Sequence, residues 1–228
     1  MIIGNGLIAN SFSNFKEDQK ILIFASGVSN SKEIDILQYD REANLLKNAI
    51  LNNKDKKIIY FSTTSIYDKE LSTQLYCKHK LHMEELIKEL SFNFIIFRLP
   101  EIVGNNNKYQ IIGFLIHKIK NKEPFEIWEN ATRHLIGISD VVKICSYLIY
   151  KKEYNNKIIN ISSPIKTPIL DLVLHIEHIL NKKAIYSFIN KGDSYNIETP
   201  EMDSLKKKLD INFDEKYVNN LISRYYKL

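Results

Sequence analysis

A tyrosine and a lysine four residues apart carry the clearest chemical signal in the sequence. Tyr76 and Lys80 lie in a stretch of helical periodicity, and four residues make about one helical turn, so both side chains project from one face. An ammonium beside a phenol favours the phenolate and lowers the tyrosine pKa from about 10 towards neutrality, where it exchanges protons with an alcohol or ketone. The alternative interpretation is an exposed, solvated pair.

A pair of glycines opens the chain directly after its first apolar residues. Glycine is scarce, with 7 in 228 residues, and two of the seven are Gly4 and Gly6. In a doubly wound fold the first glycine makes the turn, the second lets backbone N–H groups reach a pyrophosphate, and a third small residue lets helix and strand pack closely. A tight turn without a ligand is the alternative. The residues of this predicted dinucleotide turn are Gly4, Asn5, Gly6, Leu7, Ile8 and Ala9.

Four consecutive hydroxyl side chains follow an apolar run further along the chain. They are Ser62, Thr63, Thr64 and Ser65, and Tyr67 comes two residues later. At the carboxyl end of a parallel strand, such hydroxyls line the crevice in which ligands bind. The alternative is a turn stabilised by Ser and Thr side chains that bond to the backbone.

Short apolar runs alternate with longer stretches of helical periodicity, and this alternation indicates the fold class. The runs predict buried strands, and the stretches between them predict helices. Strand and helix in alternation favour a parallel sheet covered on both faces, so we expect an α/β, Rossmann-like, doubly wound fold. The predicted strands are 21–25, 58–62, 94–98, 135–138 and 158–161, and the predicted helices are 34–51, 76–90 and 140–150.

The later part of the chain departs from this alternation. An Asn-rich turn follows Gly104, and helical patterns dominate from Pro164 onward. We therefore predict a dinucleotide-binding core and a small, mostly helical C-terminal substrate lobe within a single unit. The core comprises 1–104 and 134–163, and the lobe comprises 105–133 and 164–228. The helices predicted in the lobe are 111–120, 169–181, 201–209 and 215–226, with strand-like pieces at 125–127 and 184–189.

Taken together and in this order, the motifs resemble the extended short-chain dehydrogenase/reductase family, which includes sugar-nucleotide epimerases, dehydratases and reductases. The resemblance extends over nearly the whole chain. Residues 58–67 are similar to the family's strand with a Ser/Thr run and a Tyr, and 76–87 to its catalytic helix. The remaining matches are 97–104 with R-x-x-N-x-Y/V-G, 133–142 with R-x-F-I-x-V-x-D-V-A, and 159–162 with Y-N-I-G.

The resemblance implies a role for each matching residue. Tyr76 is the implied general acid/base, Lys80 its pKa-lowering partner and a donor to the nicotinamide ribose, and Thr63 the hydroxyl that polarises the substrate oxygen. Arg133 is implied to hold the diphosphate of a nucleotide-sugar substrate, which suits a forked guanidinium. The other implied substrate contacts are Thr64, Ser65 and Glu101. The implied contacts to NAD or NADP are the six residues of the glycine turn with Ala25, Ser26, Ser62, Lys80 and Pro100.

The chain also departs from the family pattern. Only residues 10–20 separate the glycine turn from the next predicted strand, which fits a single short helix. The family's usual second and third strands are therefore predicted to be missing, together with the residue that reads the adenosine ribose. For that reason the sequence does not distinguish NAD from NADP. Glu101 also replaces the family's usual Asn beside the substrate.

Two features narrow the reaction that the resemblance implies. The family's 4,6-dehydratases follow the catalytic Thr with Asp-Glu, where this chain has Thr64-Ser65, and this disfavours dehydration. A 4-epimerase must retain its oxidised cofactor, whereas loss of the adenosine site suits an exchangeable reduced cofactor. By analogy with the family we expect nicotinamide-dependent reduction of a nucleotide-linked keto-sugar in polysaccharide precursor synthesis. The alternatives are a sugar-nucleotide epimerase and a non-catalytic cofactor-binding or scaffold protein.

The composition of the chain bears on its binding partners, its location and its oligomeric state. The chain of 228 residues has a formal net charge of +5 and no block of like charge that would indicate a nucleic-acid partner. The two cysteines, Cys77 and Cys145, predict neither a disulfide framework nor a metal site, and a cytoplasmic location is expected. No segment predicts a signal peptide or a membrane span. Apolar residues beyond one stripe on helices 34–51 and 76–90 predict a homodimer through these helices, as in the family.

Overall fold

The chain divides into two units in a computed structural model that describes residues 1–28, 33–104 and 110–226. The first unit comprises Met1–Leu99 and Ser139–Ile161, and the second comprises Pro100–Ile138 and Ser162–Leu228. Within the described residues the strands are β1 (Ile2–Ile3), β2 (Ile21–Phe24), β3 (Lys57–Thr63), β4 (Phe94–Leu99), β5 (Glu101–Val103), β6 (Phe125–Trp128), β7 (Thr132–Gly137), β8 (Lys157–Asn160), β9 (Lys166–Pro168) and β10 (Tyr186–Ile189). The helices are α1 (Leu7–Ser11), α2 (Ile36–Leu51), α3 (Leu75–Leu90), α4 (Ile111–Lys120), α5 (Ile138–Ile149), α6 (Ile169–Leu180), α7 (Met202–Lys208) and α8 (Tyr217–Tyr226).

A five-stranded parallel sheet lies at the centre of the first unit. The strand order is β1-β2-β3-β4-β8, and the register aligns Ile23 with Ile59 and Ile59 with Ile95. All residues of β2 are buried, as are all residues of β3 except its first. Strands that are apolar along both sides are typical of a parallel sheet with both faces covered.

Helices α2 and α3 pack together on one face of this sheet. Leu46 of α2 and Met83 of α3 are fully buried in a cluster with Leu22, Tyr60 and Ile96 of the strands. Apolar residues of α2 recur at helical spacing, which directs one side of the helix onto the sheet. The two helices therefore fix the position of everything that projects from their buried sides.

Aromatic side chains fill the opposite face. The ring centroids of Phe12 and Phe61 are 5.2 Å apart, and those of Phe61 and Phe97 are 6.0 Å apart. Phe15, in the 3-10 turn after α1, stacks at 5.6 Å on Tyr150, which follows α5. Successive residues of a strand point to opposite faces, so Phe61 lies on the side away from α2 and α3. The sheet is thus covered on both faces, as the sequence predicts.

A buried ion pair and the hydrogen bonds around it connect β3, α3, β4 and β8. Glu84 is fully buried, and its carboxylate accepts from Arg98 Nε at 2.9 Å and Nη2 at 2.6 Å. Ser62 Oγ donates to the same carboxylate at 2.6 Å. Arg98 Nη1 donates to the Tyr67 hydroxyl at 2.9 Å, and that hydroxyl donates to Asn160 Oδ1 at 3.1 Å. These bonds satisfy a carboxylate that would otherwise be costly to bury.

The second unit consists of two small sheets and the helices around them. In one sheet β7 pairs in parallel with β5 and antiparallel with β9, and in the other β10 pairs in parallel with β6. Helices α4, α6 and α8 contribute Leu115, Val173 and Leu221 to a buried core that also contains Leu135 of β7. The unit has its own apolar core and is described here by itself.

The predicted fold class is confirmed, with corrections to the assignment of single strands. Every predicted helix is present, and its ends differ from the prediction by at most two residues. Residues 135–137 of the predicted strand 135–138 lie in β7, and Ile138 begins α5. Strand β7 belongs to the second unit, because it pairs with β5 and β9 rather than with the five-stranded sheet. Strands β5 and β9 escaped prediction because three residues are too few to show a period.

Strand β1 lies at the edge of the five-stranded sheet. It pairs with β2 through Ile2 and Ile3, and among the described residues no strand lies beyond it. The residues between β1 and β2 form α1 and the 3-10 turn Ser13–Phe15. This order agrees with the prediction that the second and third strands usual in the family are missing.

Removal of Arg98 alone from the Glu84–Arg98 pair should strongly lower the stability of the fold. Arg98→Met leaves the Glu84 carboxylate buried without its partner, so the free energy of unfolding should fall by about 3–5 kcal/mol. Urea unfolding at neutral pH measures this loss. The control is Lys88→Met, which removes an exposed partner of Glu85 on the same helix and should cost about 0.5 kcal/mol or less. Equal losses in the two variants would contradict a stabilising role for the buried network.

Candidate active site

The glycine turn joins β1 to α1 and lies against the backbone that follows β2. Gly4 has a φ of +132°, a region that favours glycine, and a Cβ at this position would collide with the backbone of Ala25 and Ser26. Gly6 differs, because a Cβ added to it would meet no atom within 4 Å. The fold therefore requires glycine at position 4, whereas Gly6 faces open space.

The other predicted turn residues lie around these glycines. Asn5 is exposed, and its carbonyl accepts from Asn10 Nδ2 at 2.9 Å. Leu7 and Ile8 are half-buried at the start of α1, and Ala9 is buried. The small Ala9 side chain allows α1 to lie close to the sheet, which is the role that the sequence predicts for it.

The four hydroxyls at the end of β3 are engaged with protein groups. Ser62 is bonded to Glu84, and Thr64, which is fully buried, donates to the Leu99 carbonyl at 3.5 Å. Thr63 Oγ1 accepts from Ser65 N and donates to Ser65 Oγ, both at 3.1 Å. Thr63 thereby caps the 3-10 turn Thr64–Tyr67. The turn-stabilising role that was left as an alternative is therefore present.

Thr63, Tyr76 and Lys80, the predicted catalytic residues, come together in the first unit. Lys80 Nζ lies 5.8 Å from the centre of the Tyr76 ring, and the Tyr76 hydroxyl shares a hydrogen bond with the Thr63 side chain. Both helical residues lie near the start of α3, one turn apart. Lys80 is buried and Tyr76 is half-buried, so the alternative of an exposed, solvated pair is wrong.

Two protein groups hold the Lys80 ammonium. Its Nζ donates to the Tyr60 hydroxyl at 3.0 Å and to Glu42 Oε1 at 3.3 Å. Burial by itself lowers the pKa of Lys80, but Tyr60 and Glu42 outweigh it, and the pKa lies above its ordinary value. Lys80 therefore carries its positive charge throughout the physiological pH range.

The pKa of Tyr76 moves in the direction opposite to the one predicted from the sequence. Burial raises it, Cys77 and Glu42 raise it further, and the hydrogen bond to Thr63 only partly offsets them. Tyr76 consequently keeps its proton at neutral pH, which suits a proton donor.

Glu42 of α2 is the residue of this cluster that sequence analysis missed. It is 3% exposed, and besides Lys80 its carboxylate accepts from Val28 N at 2.9 Å. His79 Nε2 lies 3.1 Å from Glu42 Oε2, close enough for an ion pair although poorly aligned for a hydrogen bond. Burial favours the neutral acid, but His79, Lys80 and Val28 outweigh it and lower the pKa of Glu42.

The position of Glu42 within α2 carried a signal that could have found it. Tyr39, Leu46 and Ala49 stand three before, four after and seven after it, and all are buried. An acid inside such an apolar stripe points into the core and needs a partner there. The pattern identifies the buried acid but not the lysine that it holds.

The remaining predicted contacts lie in the second unit. The Glu101 carboxylate accepts from Ile111 N, at the start of α4, at 2.6 Å. Burial raises the pKa of Glu101, and Ile111 N and Arg133 only partly offset this. Arg133 Nη1 donates to the Thr132 carbonyl at 2.9 Å. Pro100 links β4 to β5 and begins this unit.

Neither a metal-binding cluster nor a membrane-spanning helix is present in the part of the chain that the structure describes. No group of three or more His, Cys, Asp or Glu side chains there is arranged to hold a metal ion. Over residues 1–28, 33–104 and 110–226, no helix combines the length and apolarity that crossing a bilayer needs.

Several solved structures share this fold. MoeE5 in complex with UDP-glucuronic acid and NAD is 14% identical, covers 91% of this chain and 78% of its own, and has a TM-score of 0.73. WbmH from Bordetella bronchiseptica, in complex with NAD+, is 12% identical, with 97% and 79% covered and a TM-score of 0.72. UDP-glucuronic acid 4-epimerase from Bacillus cereus, in complex with NAD, is 19% identical, with 97% and 78% covered and a TM-score of 0.72.

Sequence comparison gives the family directly. No curated protein matches the chain. The model of the NAD dependent epimerase/dehydratase family matches residues 25–162, from the end of β2 to the residues after β8. This match covers more than half of the chain, including Thr63, Tyr76 and Lys80. The chain therefore belongs to the NAD dependent epimerase/dehydratase family.

Proposed function

We propose that this protein is a nicotinamide-dependent oxidoreductase of the extended short-chain dehydrogenase/reductase type, which reduces a keto-sugar attached to a nucleotide diphosphate in polysaccharide precursor synthesis. The observation that carries the proposal is the meeting of Thr63, Tyr76 and Lys80 at the end of β3. Similar solved structures hold NAD together with UDP-glucuronic acid, UDP-glucose or UDP, which supports both the cofactor and the class of substrate.

The residues of the first unit fit a dinucleotide. Open space beside Gly6 lets a ligand approach the backbone of the turn, while Gly4 holds that turn against Ala25. The proposed contacts are the glycine turn, residues 25 and 26 at the end of β2, and Lys80. Ser62 gives its hydroxyl to Glu84, so only its backbone is proposed as a contact. The glycine turn precedes the segment that the family model matches, and its role stays a proposal.

The proposed chemistry divides between the cofactor and the chain. When bound, a reduced nicotinamide supplies the hydride that the carbonyl carbon receives. The Thr63 hydroxyl, which donates to Ser65 Oγ in the structure, turns its hydrogen to the carbonyl oxygen and so polarises it. Tyr76, whose proton is retained by burial, transfers that proton to the same oxygen as negative charge develops there. The buried ammonium of Lys80 stabilises the phenolate that remains.

The proposed substrate contacts are narrower than the sequence implies. Arg133 offers a forked guanidinium, which suits the diphosphate of a nucleotide sugar. Thr64 is fully buried, so no substrate contact is proposed for it. Ser65 remains a proposed contact. Glu101 also remains one, and burial raises the pKa of its carboxyl group.

A sugar-nucleotide epimerase is the second candidate. Similar structures include UDP-glucose 4-epimerases from Thermus thermophilus and Thermotoga maritima. An epimerase uses the same tyrosine but oxidises the sugar and then reduces it again on the same cofactor, so it has no net demand for reduced dinucleotide. A cofactor-binding or scaffold protein without turnover is the remaining alternative.

The test of the proposed function is stoichiometric oxidation of NADH or NADPH by nucleotide-linked keto-sugars. Tyr76→Phe removes one hydroxyl and should lower kcat by about 10²–10⁴-fold while leaving dinucleotide binding intact. The control is Tyr150→Phe, which removes an exposed hydroxyl of the same unit and should leave kcat unchanged. Epimer formation without consumption of reduced cofactor would favour the epimerase. Binding without any turnover would favour the scaffold.

The two glycines of the turn should respond differently to the same change. Gly4→Ala forces a strained backbone into the Ala25 carbonyl and should lower the free energy of unfolding by about 2 kcal/mol or more. Gly6→Ala should change it by less than about 0.5 kcal/mol but weaken dinucleotide binding about tenfold, because the added methyl occupies ligand space. Chemical unfolding and nicotinamide fluorescence measure the two effects. Unaltered affinity in Gly6→Ala would place the dinucleotide elsewhere.

A homodimer through α2 and α3 is part of the proposal. Leu37, Leu45 and Leu81 of these helices are 74%, 41% and 37% exposed, and they would be covered in a helix-to-helix interface. Light scattering at micromolar concentration should give twice the chain mass of 26.7 kDa. The double variant Leu37→Glu/Leu45→Glu should give the monomer, and Phe92→Glu, which alters a 95% exposed side chain outside both helices, should not. A monomeric native chain would refute the dimer.

A further inference from the structure

A buried carboxylate on α2 has no part in the proton transfer proposed above. Glu42 is 3% exposed, so its charge is removed from water and must be compensated by protein groups. Its two oxygens meet Lys80 Nζ at 3.3 Å and Val28 N at 2.9 Å, on different oxygens. One side chain thus connects a residue of α3 with the backbone that follows β2.

The segment that follows β2 is built around this carboxylate. Gly27 has a φ of +157°, and a Cβ at this position would collide with the Glu42 carboxyl group. Val28 then donates its N–H to Glu42 Oε2. The same segment contains Ala25 and Ser26, which are proposed dinucleotide contacts. The conformation of residues 25–28 is therefore coupled to the position of Glu42.

The other end of the connection is the Lys80 ammonium. An ammonium has three N–H donors, and Lys80 directs one to the Tyr60 hydroxyl and one to Glu42. Fixing two donors also fixes the direction of the third. Tyr60 is buried within the sheet, so Glu42 and Tyr60 together hold the ammonium in one orientation beside the Tyr76 ring.

We propose that Glu42 is a positioning residue, which orients the Lys80 ammonium towards the dinucleotide and couples that orientation to the turn at residues 25–28. The inference rests on the proposed function, because it requires a dinucleotide at this end of the sheet. Glu42 acts through Lys80 and touches no reacting atom. Glu42→Gln removes the charge that holds Lys80 but keeps a side-chain oxygen for Val28 N, so it should affect ligand binding only while Lys80 is present.

A double-mutant cycle on dinucleotide affinity tests this role. The dissociation constants of NADH and NADPH are measured by nicotinamide fluorescence for wild type, Glu42→Gln, Lys80→Met and the double variant. Glu42→Gln should weaken binding about five- to tenfold in the native background and less than about twofold when Lys80 is already Met. Glu42→Asp, which keeps the charge, should recover most of the affinity. Glu85→Gln, which removes an exposed acid from α3, should change nothing.

Each outcome decides the proposal or the function on which it rests. An equal loss in both backgrounds would mean that Glu42 acts through the fold alone and would overturn the inference, as would unchanged affinity in Glu42→Gln. Absence of binding to wild type would overturn the proposed function, and the role of Glu42 in binding with it. If Glu42→Gln does not fold, Glu42→Asp takes its place in the cycle, with a smaller loss that Lys80→Met must suppress.

Discussion

The first unit depends on two negative charges buried on the same side of one parallel sheet. Glu42 of α2 pairs with Lys80, and Glu84 of α3 pairs with Arg98. Neither carboxylate is stable in an apolar interior unless its partner and its hydrogen bonds are in place. Each pair therefore fixes how α2, α3 and the strands sit relative to one another, and it fixes them next to the residues proposed for catalysis.

The two ion pairs differ in how many of their hydrogen-bond donors are used by protein groups. In the Glu84–Arg98 pair, Glu84 also accepts from Ser62, and Arg98 also donates to Tyr67, which in turn donates to Asn160. These bonds stabilise the end of β3, where the hydroxyl side chains lie. In the Glu42–Lys80 pair, the ammonium directs one of its three donors to Glu42 and a second to Tyr60. Lys80 remains charged, and its Nζ lies 5.8 Å from the centre of the Tyr76 ring, whose hydroxyl keeps its proton because burial raises the pKa of Tyr76.

The local sequence pattern predicted the helices and most strands of this structure. It did not predict contacts between residues that are far apart in the sequence. The spacing of Tyr76 and Lys80 was sufficient to predict a shared helical face, and the hydroxyl run was sufficient to predict the end of a strand. The sequence did not show that Glu42, thirty-eight residues before Lys80, neutralises it. It also did not show which sheet receives segment 135–138, because periodicity identifies a strand but not its neighbours. The predicted direction of the Tyr76 pKa shift was wrong because the sequence did not show that the phenol is buried, and burial raises its pKa.

The edge position of β1, which follows from the missing second and third strands, affects which side chains can contact the adenosine part of a dinucleotide. A strand of two residues makes few ladder bonds, and the close approach of Gly4 to Ala25 is what brings its end against β2. The glycine turn therefore lies at the border of the sheet instead of between strands. The adenosine part of a dinucleotide bound there would extend past the sheet edge at β1. Among the described residues, no further strand lies at that edge to place a charged side chain beside the adenosine ribose. In the turn itself, Asn5 and Asn10 are neutral, and Asn10 Nδ2 donates to the Asn5 carbonyl at 2.9 Å.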